Sequence, residues 1–324
     1  VTTLDAAIAQ SASFLRERLR AGAYGLTCVG GDGTPRFGDD KGHIFVASFV
    51  TEAMIGLFDE IDRTIVLMRI LSEEDDGRWG FTPPGLRHLD AFRAFHVDAD
   101  DTAYVIRTLQ RLGVNREPRG LPSFYREPER LFVTFDTQGP ATLARRPSAA
   151  NNFAAHLEVN ANVFLALKPT HFEPLIDYGM LAAAQDPLGF WASYFYPSRM
   201  FATLLALDVL RDRPEFGDVV RKAFAYIEGA QAPDGSWGED GDPHETALAV
   251  AALAGGPDSP AMGRGVAHLL RTMGGDGSWR SDASIYEFVA LDDDLWRAYD
   301  EHRTYVTARC LTALRAAAGR LSSG

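Results

Sequence analysis

A glycine turn closely followed by an aromatic residue recurs five times in this 324-residue chain: GGDGTPRFG around Gly33, DDGRWGF around Gly77, QDPLGFW around Gly189, QAPDGSWG around Gly235 and GGDGSWR around Gly277. Turns within the outer pairs stand roughly 45 residues apart, and the middle gap holds about two and a half such units, the mark of a repeating supersecondary unit. Between the turns the apolar residues follow a helical period. Pro243 to Ala254 (PHETALAVAALA) and Tyr305 to Ala318 (YVTARCLTALRAAA) are dominated by small and apolar residues without β-branched runs, so helices are predicted there. A helix pair with one turn cannot bury its apolar faces alone and must stack on its neighbours, as an open solenoid or a closed ring. The chain holds about seven units and shows no polar capping repeat, which favours closure. The expectation is an all-α fold, a single α/α-barrel (an α6–α6 toroid of helical hairpins) formed by residues 1–324 as one domain. The Pro-, Arg- and Gly-rich stretch Gly113 to Asn152 reads as a long connection over the barrel mouth, with a shorter helix or two.

Composition removes several classes of function. A formal charge of -12 with only Lys41, Lys168 and Lys222 as lysines argues against nucleic acid as a partner. Cys28 and Cys310 have no CxxC or Cys/His spacing around them, so they read as small core residues and not as a disulfide or zinc site. No apolar run is long enough to span a membrane and no basic-then-apolar leader is present, so a cytoplasmic protein is expected, with peripheral membrane contact and oligomeric state left open.

The segment Phe95 to Gly113, FHVDADDTAYVIRTLQRLG, concentrates the chemistry. Asp98 is a natural N-cap, and Asp100 and Asp101 fall in the first helical turn, where free amides and the helix dipole favour negative charge. Read blandly, this is a well-capped helix. Three carboxylates within four residues cannot all ionise cheaply, however, since like charges a few ångströms apart raise the pKa of one of them.

Asp98-Ala99-Asp100-Asp101 resembles the DxDD motif of class II terpene cyclases, and Thr102-Ala103 extends it to the DxDDTA form of squalene-hopene cyclases. The turn QAPDGSWG is similar to the QW motif of the same superfamily, complete as Gln231, Gly235 and Trp237; GGDGSWR lacks the Gln, with Met273 in its place. The segments after Gly235 and around LWRAYDEHRTYVTARCLTAL resemble bacterial copalyl diphosphate synthases, although those enzymes work between two barrels. A one-barrel chain is closer to the monodomain class II cyclases similar to merosterolic acid synthase, which act on prenylated aromatic acids. The resemblance implies a protonation-initiated cyclase in which Asp100 is the general acid and Asp98 and Asp101 hold and tune it. It also implies that Asn162, in HLEVNANVFLAL, is the hydrogen-bond partner of Asp100; the alternative for Asn162 is a helix-surface amide.

Protonating an alkene or epoxide makes a carbocation, which needs a dry acid and aromatic faces that stabilise charge without reacting. Candidate wall residues are Phe95, Phe190, Trp191, Tyr194, Tyr196, Tyr286, Trp296, Tyr299 and Tyr305, with GFWASYFYPSRMF (Gly189 to Phe201) the densest cluster. Trp237 and Trp279 are assigned to bracing the turns. Asp292-Asp293-Asp294-Leu295-Trp296 is not a DDxxD motif, so no metal site and no cofactor are expected, Mg²⁺ being reserved for the case of a diphosphate substrate. The small-molecule partner expected is a linear isoprenoid. A prenylated aromatic or meroterpenoid precursor is preferred, with farnesyl or geranylgeranyl diphosphate cyclised with its head group retained as the alternative. Two readings of other classes stand beside these: a prenyltransferase-like subunit and a non-catalytic toroid that binds lipid or protein.

Overall fold

The computed structural model describes residues 2–38, 43–81, 97–135, 151–290 and 294–321. Among these, six helices close a ring: α2 (Ile44–Met54), α4 (Ala99–Arg111), α5 (Leu157–Leu167), α7 (Arg199–Leu210), α9 (Pro243–Ala254) and α11 (Thr304–Leu321), each packed on the next and α11 packed back on α2. Outside it lie α1 (Leu4–Ala21), α3 (Glu60–Ser72), α6 (Tyr178–Ala183), α8 (Gly217–Gly229) and α10 (Pro260–Thr272). The sequence sorts the two layers. Inner helices such as IFVASFVTEAM bury residues on every side, whereas α3 and α10 bury one stripe, as an outer helix with one face to water must. The expected helical barrel is therefore observed, and both predicted helices fall where the periodicity put them.

The Gly-rich turns set the spacing of the layers through one repeated device. Trp79, Trp191, Trp237 and Trp279 are fully buried, and each donates its indole N–H to a carbonyl near the end of the preceding outer helix: Ile70, Leu181, Ile227 and Leu269. Each also donates its backbone N–H to a threonine on the following inner helix: Thr102, Thr203, Thr246 and Thr307. Trp191, expected on a substrate wall, is thus a brace; both its N–H groups are spent on the scaffold. Gln185 repeats the role of Gln231, bonding the turn carbonyl (Gly189, Gly235) and a carbonyl of the next outer helix (Val219, Ala261). Gly189, Gly235 and Gly277 have positive φ, and a Cβ on them would strike backbone atoms of Lys222, Arg264 and Gln10. Gln10 belongs to α1, so the last turn docks on the first outer helix and closes the ring.

Among the described residues, the structure departs from a purely helical reading in two places. The Gly33 turn is a β-hairpin, β1 (Thr27–Val29) and β2 (Pro35–Gly38), and it joins β5 (Tyr286–Val289) and β6 (Leu295–Tyr299) in an antiparallel sheet of order β2-β1-β6-β5. The described part of the Gly113–Asn152 stretch holds a short 3₁₀ turn at Leu121–Phe124 and a minimal hairpin, β3 (Tyr125–Arg126) and β4 (Leu131–Phe132); residues 136–150 lie outside the described residues. Cys28 and Cys310 are free and buried. No helix among the described residues is long and apolar enough to cross a membrane.

Candidate active site

The N-terminal ends of the inner helices converge at one end of the barrel. Asp98 caps α4, accepting the Asp101 N–H at 2.7 Å, and its other oxygen accepts the Phe81 N–H at 3.1 Å. With the cap fixed, Asp100 in the first turn projects into the barrel and is 7% exposed. Its Oδ1 accepts from Asn162 Nδ2 at 2.8 Å and its Oδ2 meets the Tyr196 hydroxyl at 2.6 Å. Asn162 is fully buried on α5, so the surface-amide alternative does not hold. Tyr196 lies just before Ser198, the N-cap of α7.

Arg107 orients Asn162. Its Nη1 donates to Asn162 Oδ1 at 2.6 Å, which leaves only the NH₂ group to face Asp100. Oδ1 of Asp100, with the amide donating to it and to the adjacent Asp100 carbonyl, is then the acceptor oxygen, and an acidic proton belongs on Oδ2, beside Tyr196. Arg107 sits two turns along α4 from Asp100, on the same face.

Burial raises the Asp100 carboxyl to about 7, with Tyr196 and Asn162 pulling it down and the charges of Asp98 and Glu158 pushing it up. Burial also raises Asp98, to about 6, against four hydrogen bonds to it. Asp101 is raised well above the usual range by burial first and then by the Asp98 and Asp100 charges. The Asp98 charge raises Asp100 and the Asp98 cap fixes the helix end, while the bonds that hold the Asp100 side chain come from Asn162 and Tyr196. A half-ionised carboxyl in a dry aromatic surround can deliver a proton to a weak base that reaches it.

The expected wall residues divide. Tyr196, Tyr286 and Tyr305 surround the acid: Tyr196 and Tyr286 are edge to face at 5.4 Å, and Phe45 stacks against both Tyr305 (5.5 Å) and Tyr196 (6.2 Å). Phe45, Phe81 and Phe195 belong to the same wall, the last two stacked on Tyr286 at 5.2 and 5.3 Å. Trp296 extends it through Phe288, edge to face at 5.5 Å. Tyr194 stacks on His156 at 4.2 Å and donates to Asn152 Oδ1, at the margin of this cluster. Phe190 packs on Tyr226 of α8 under the Arg199 guanidinium, which is scaffold, because the glycine turn carries it outward between the layers. Tyr299 lines a separate polar cleft with Arg280, Asp282 and Arg303. Strand alternation explains this: Tyr286 pairs with Ala298 and Phe288 with Trp296 on the face toward the acid, so Tyr299 points to the other face. Phe95 lies outside the described residues.

At the opposite, C-terminal end of the inner helices, Arg107, Arg111, Arg211 and Arg309 line a cavity of about 270 Å³ with Glu52 and Asp208. Cations there complement the converging negative ends of the helix dipoles. Among the described residues, no group of three or more His, Cys, Asp or Glu side chains could hold a metal ion.

No protein-family model matches the chain. Its sequence is 28% identical over 254 residues to labda-7,13-dienyl diphosphate synthase of Streptomyces clavuligerus, covering 68% of this chain and 42% of that protein. It is 27% identical over 250 residues to drimenyl diphosphate synthase of Streptantibioticus cattleyicolor, covering 68% and 43%. The chain thus spans well under half the length of these curated relatives. Among solved structures, the type II terpene cyclase MstE from Scytonema, in complex with geranylgeranyl dihydroxybenzoate, superposes with a TM-score of 0.76 at 17% identity, over 98% of each chain. The ent-copalyl diphosphate synthase from Streptomyces platensis gives 0.63 at 22% identity, over 85% of this chain and half of that one. The resemblance to class II terpene cyclases read from the motifs is borne out by these relatives, and the helical toroid by the structural neighbours.

Proposed function

We propose that this chain cyclises a linear isoprenoid by protonation, with Asp100 as the general acid. One observation carries the reading: a buried carboxyl, raised to about 7, whose Oδ1 is claimed by an oriented amide so that its proton sits on Oδ2 against an aromatic wall. In the forward step the Oδ2 proton passes to the terminal alkene, a C–H bond forms, and the charge left on Asp100 is stabilised by Asn162 and Tyr196. The cation then moves along a chain folded against Tyr196, Tyr286, Phe45 and Phe81, whose faces stabilise it. The head group takes no part, so no metal is required for the chemistry. An exposed Asp100 would have favoured a non-catalytic toroid; here Asp100 is buried.

The substrate we favour is a prenylated aromatic acid. The structure over 98% of which this chain superposes is a type II terpene cyclase solved with geranylgeranyl dihydroxybenzoate. Arg111 and Arg211, which could help hold a diphosphate, line instead the cavity at the far end of the barrel. The alternative, a prenyl diphosphate cyclised with its head group retained, is favoured by the curated sequence relatives, which are named diphosphate synthases. Incubation with geranylgeranyl dihydroxybenzoate, geranylgeranyl diphosphate and farnesyl diphosphate, with product analysis by mass and NMR, decides between them. Cyclic product from wild type and none from Asp100→Asn is the expected result; equal product from both would remove Asp100 as the acid.

A further inference from the structure

Buried polar atoms without a partner are rare in folded proteins, and each calls for an explanation. Among the described residues, two of them meet on the barrel wall in the first turns of α9 and α11: Nε2 of His244 and the hydroxyl of Tyr305. His244 stands in the first turn of α9 and is 3% exposed. In the six-membered ring of inner helices, α9 is three places from α4, directly across the barrel from Asp100. The His244 ring meets Tyr305 edge to face at 5.3 Å, Tyr305 stacks on Phe45, and Phe45 stacks on the tyrosine that holds Asp100. His244 therefore belongs to the same aromatic wall as the acid, at its opposite side.

Resting on the cyclase reading above, we propose that His244 is the base that ends the cascade, taking a proton on Nε2 from the carbon next to the last cation. The C–H bond breaks, its electron pair forms the new C=C bond and discharges the cation, and the proton ends on the imidazole. This requires the tautomer with hydrogen on Nδ1. A C–H beside a carbocation is so acidic that the base need not be strong; it has to be neutral and placed. Burial, with the Arg309 charge adding to it, pushes the imidazolium down to about 3, so the ring is neutral at working pH and gives the proton up readily afterwards. The way out is at hand, since His244 also lines a solvent-open cleft of about 810 Å³ with Ser198, Asp242, Glu245 and Ser281. Solvent returns a proton to Asp100 in the same cycle, so the protons balance.

The test uses His244→Asn and His244→Gln, which keep most of the volume, with His244→Ala and Tyr305→Phe beside them, each assayed on geranylgeranyl dihydroxybenzoate and geranylgeranyl diphosphate. With the protonation step intact, substrate consumption by the His244 variants should fall by less than about 10-fold, while the wild-type alkene gives way to hydroxylated or regioisomeric product for at least about half of the turnover. A structural role would lower the melting temperature and the rate without altering the product ratio. An unchanged ratio in both Asn and Gln variants, complete loss of consumption in folded variants, or a changed ratio in Tyr305→Phe alone each overturns the assignment. Failure of the cyclase reading looks different, because wild type would then leave every probe unconverted, or Asp100→Asn would match it.

Discussion

Replacing Tyr196 with phenylalanine removes one hydroxyl and keeps the ring, so it separates the hydrogen bond to Asp100 from the π face. In the native site that hydroxyl, 2.6 Å from Oδ2, is the largest influence opposing the rise that burial imposes on the carboxyl. A hydrogen bond to a charged group contributes about 1.5–3 kcal/mol, which is roughly 1–2 pK units at about 1.4 kcal/mol each. The sign follows from which form is stabilised. The hydroxyl favours the carboxylate, so its loss moves the pKa upward from about 7. Two effects of opposite direction result. The proton donor must be protonated, so kcat/KM declines as pH rises through the pKa of the free enzyme, and in the variant this limb should move up by about 1–2 units. At lower pH, where both enzymes are fully protonated, the variant holds the weaker acid, and its plateau should fall by up to about 10- to 100-fold. The assay is kcat/KM for the converted probe from pH 5 to 9, with the melting temperature followed alongside. A limb that stays in place, or moves to lower pH, would refute the claim that Tyr196 tunes the acid and leave it a packing ring.

Asn162→Ala should lower turnover by about 10- to 1000-fold, since the oriented donor to Oδ1 is lost. Arg107→Met should lower it by a smaller factor, about 3- to 30-fold, by freeing the Asn162 amide to turn; in the double variant Arg107 should add nothing, and additive losses would mean that it acts elsewhere. The raised pKa of Asp100 predicts a stability trend as well: between its ordinary value of 3.8 and about 7 the folded state binds more protons than the unfolded, so this group's contribution to stability declines as pH rises through that window. Asp100→Asn should therefore raise stability over wild type at pH 8, on the order of 2–4 kcal/mol, and little at pH 4, as read by denaturant melts at both; equal stability at pH 8 would contradict a buried, strained carboxylate. EDTA should leave conversion of geranylgeranyl dihydroxybenzoate unchanged, whereas loss of that activity with recovery on Mg²⁺ would count against a head group that stays out of the chemistry.

What the sequence made legible was what rests on local spacing. The α4 N-cap, the acid pair in its first turn and the brace tryptophans at Trp237 and Trp279 all follow from residues a few positions apart. Trp191 was equally legible: Gln185, Gly189 and Trp191 repeat the offsets of Gln231, Gly235 and Trp237, but the dense aromatics after it drew the reading toward a substrate wall. Tyr196 was legible as a wall residue, but its bond to Asp100 carried no signal, because the two lie 96 residues apart and only the closed ring brings α4 and the start of α7 to one chamber. Phe45, Phe81 and His244 were hidden for the same reason. The strands were missed because short segments such as LWRAY gain their stability from pairing with β1 near the other end of the chain, which no local pattern reports. Tyr299 failed with them, since only the strand register shows which face it takes.

Thr102 links the fold to the acid. Three other inner helices carry a threonine that accepts the backbone N–H of a brace tryptophan, and none of these has a DxDD sequence around it. The device is therefore structural first. On α4, as at Thr246, the threonine also returns a hydrogen bond to the tryptophan carbonyl, and here that carbonyl accepts the Asp98 N–H at 2.9 Å as well. The turn, the cap and the first helical turn are locked as one unit, and Asp100 is the side chain that this unit presents inward. An acid of pKa near 7 does not need an unusual fold under this arrangement. It needs one repeat of an ordinary barrel in which a carboxyl occupies the inward position, an amide from the next inner helix and a phenol from the turn before the one after it reach it, and the charge that burial opposes is left to them to stabilise.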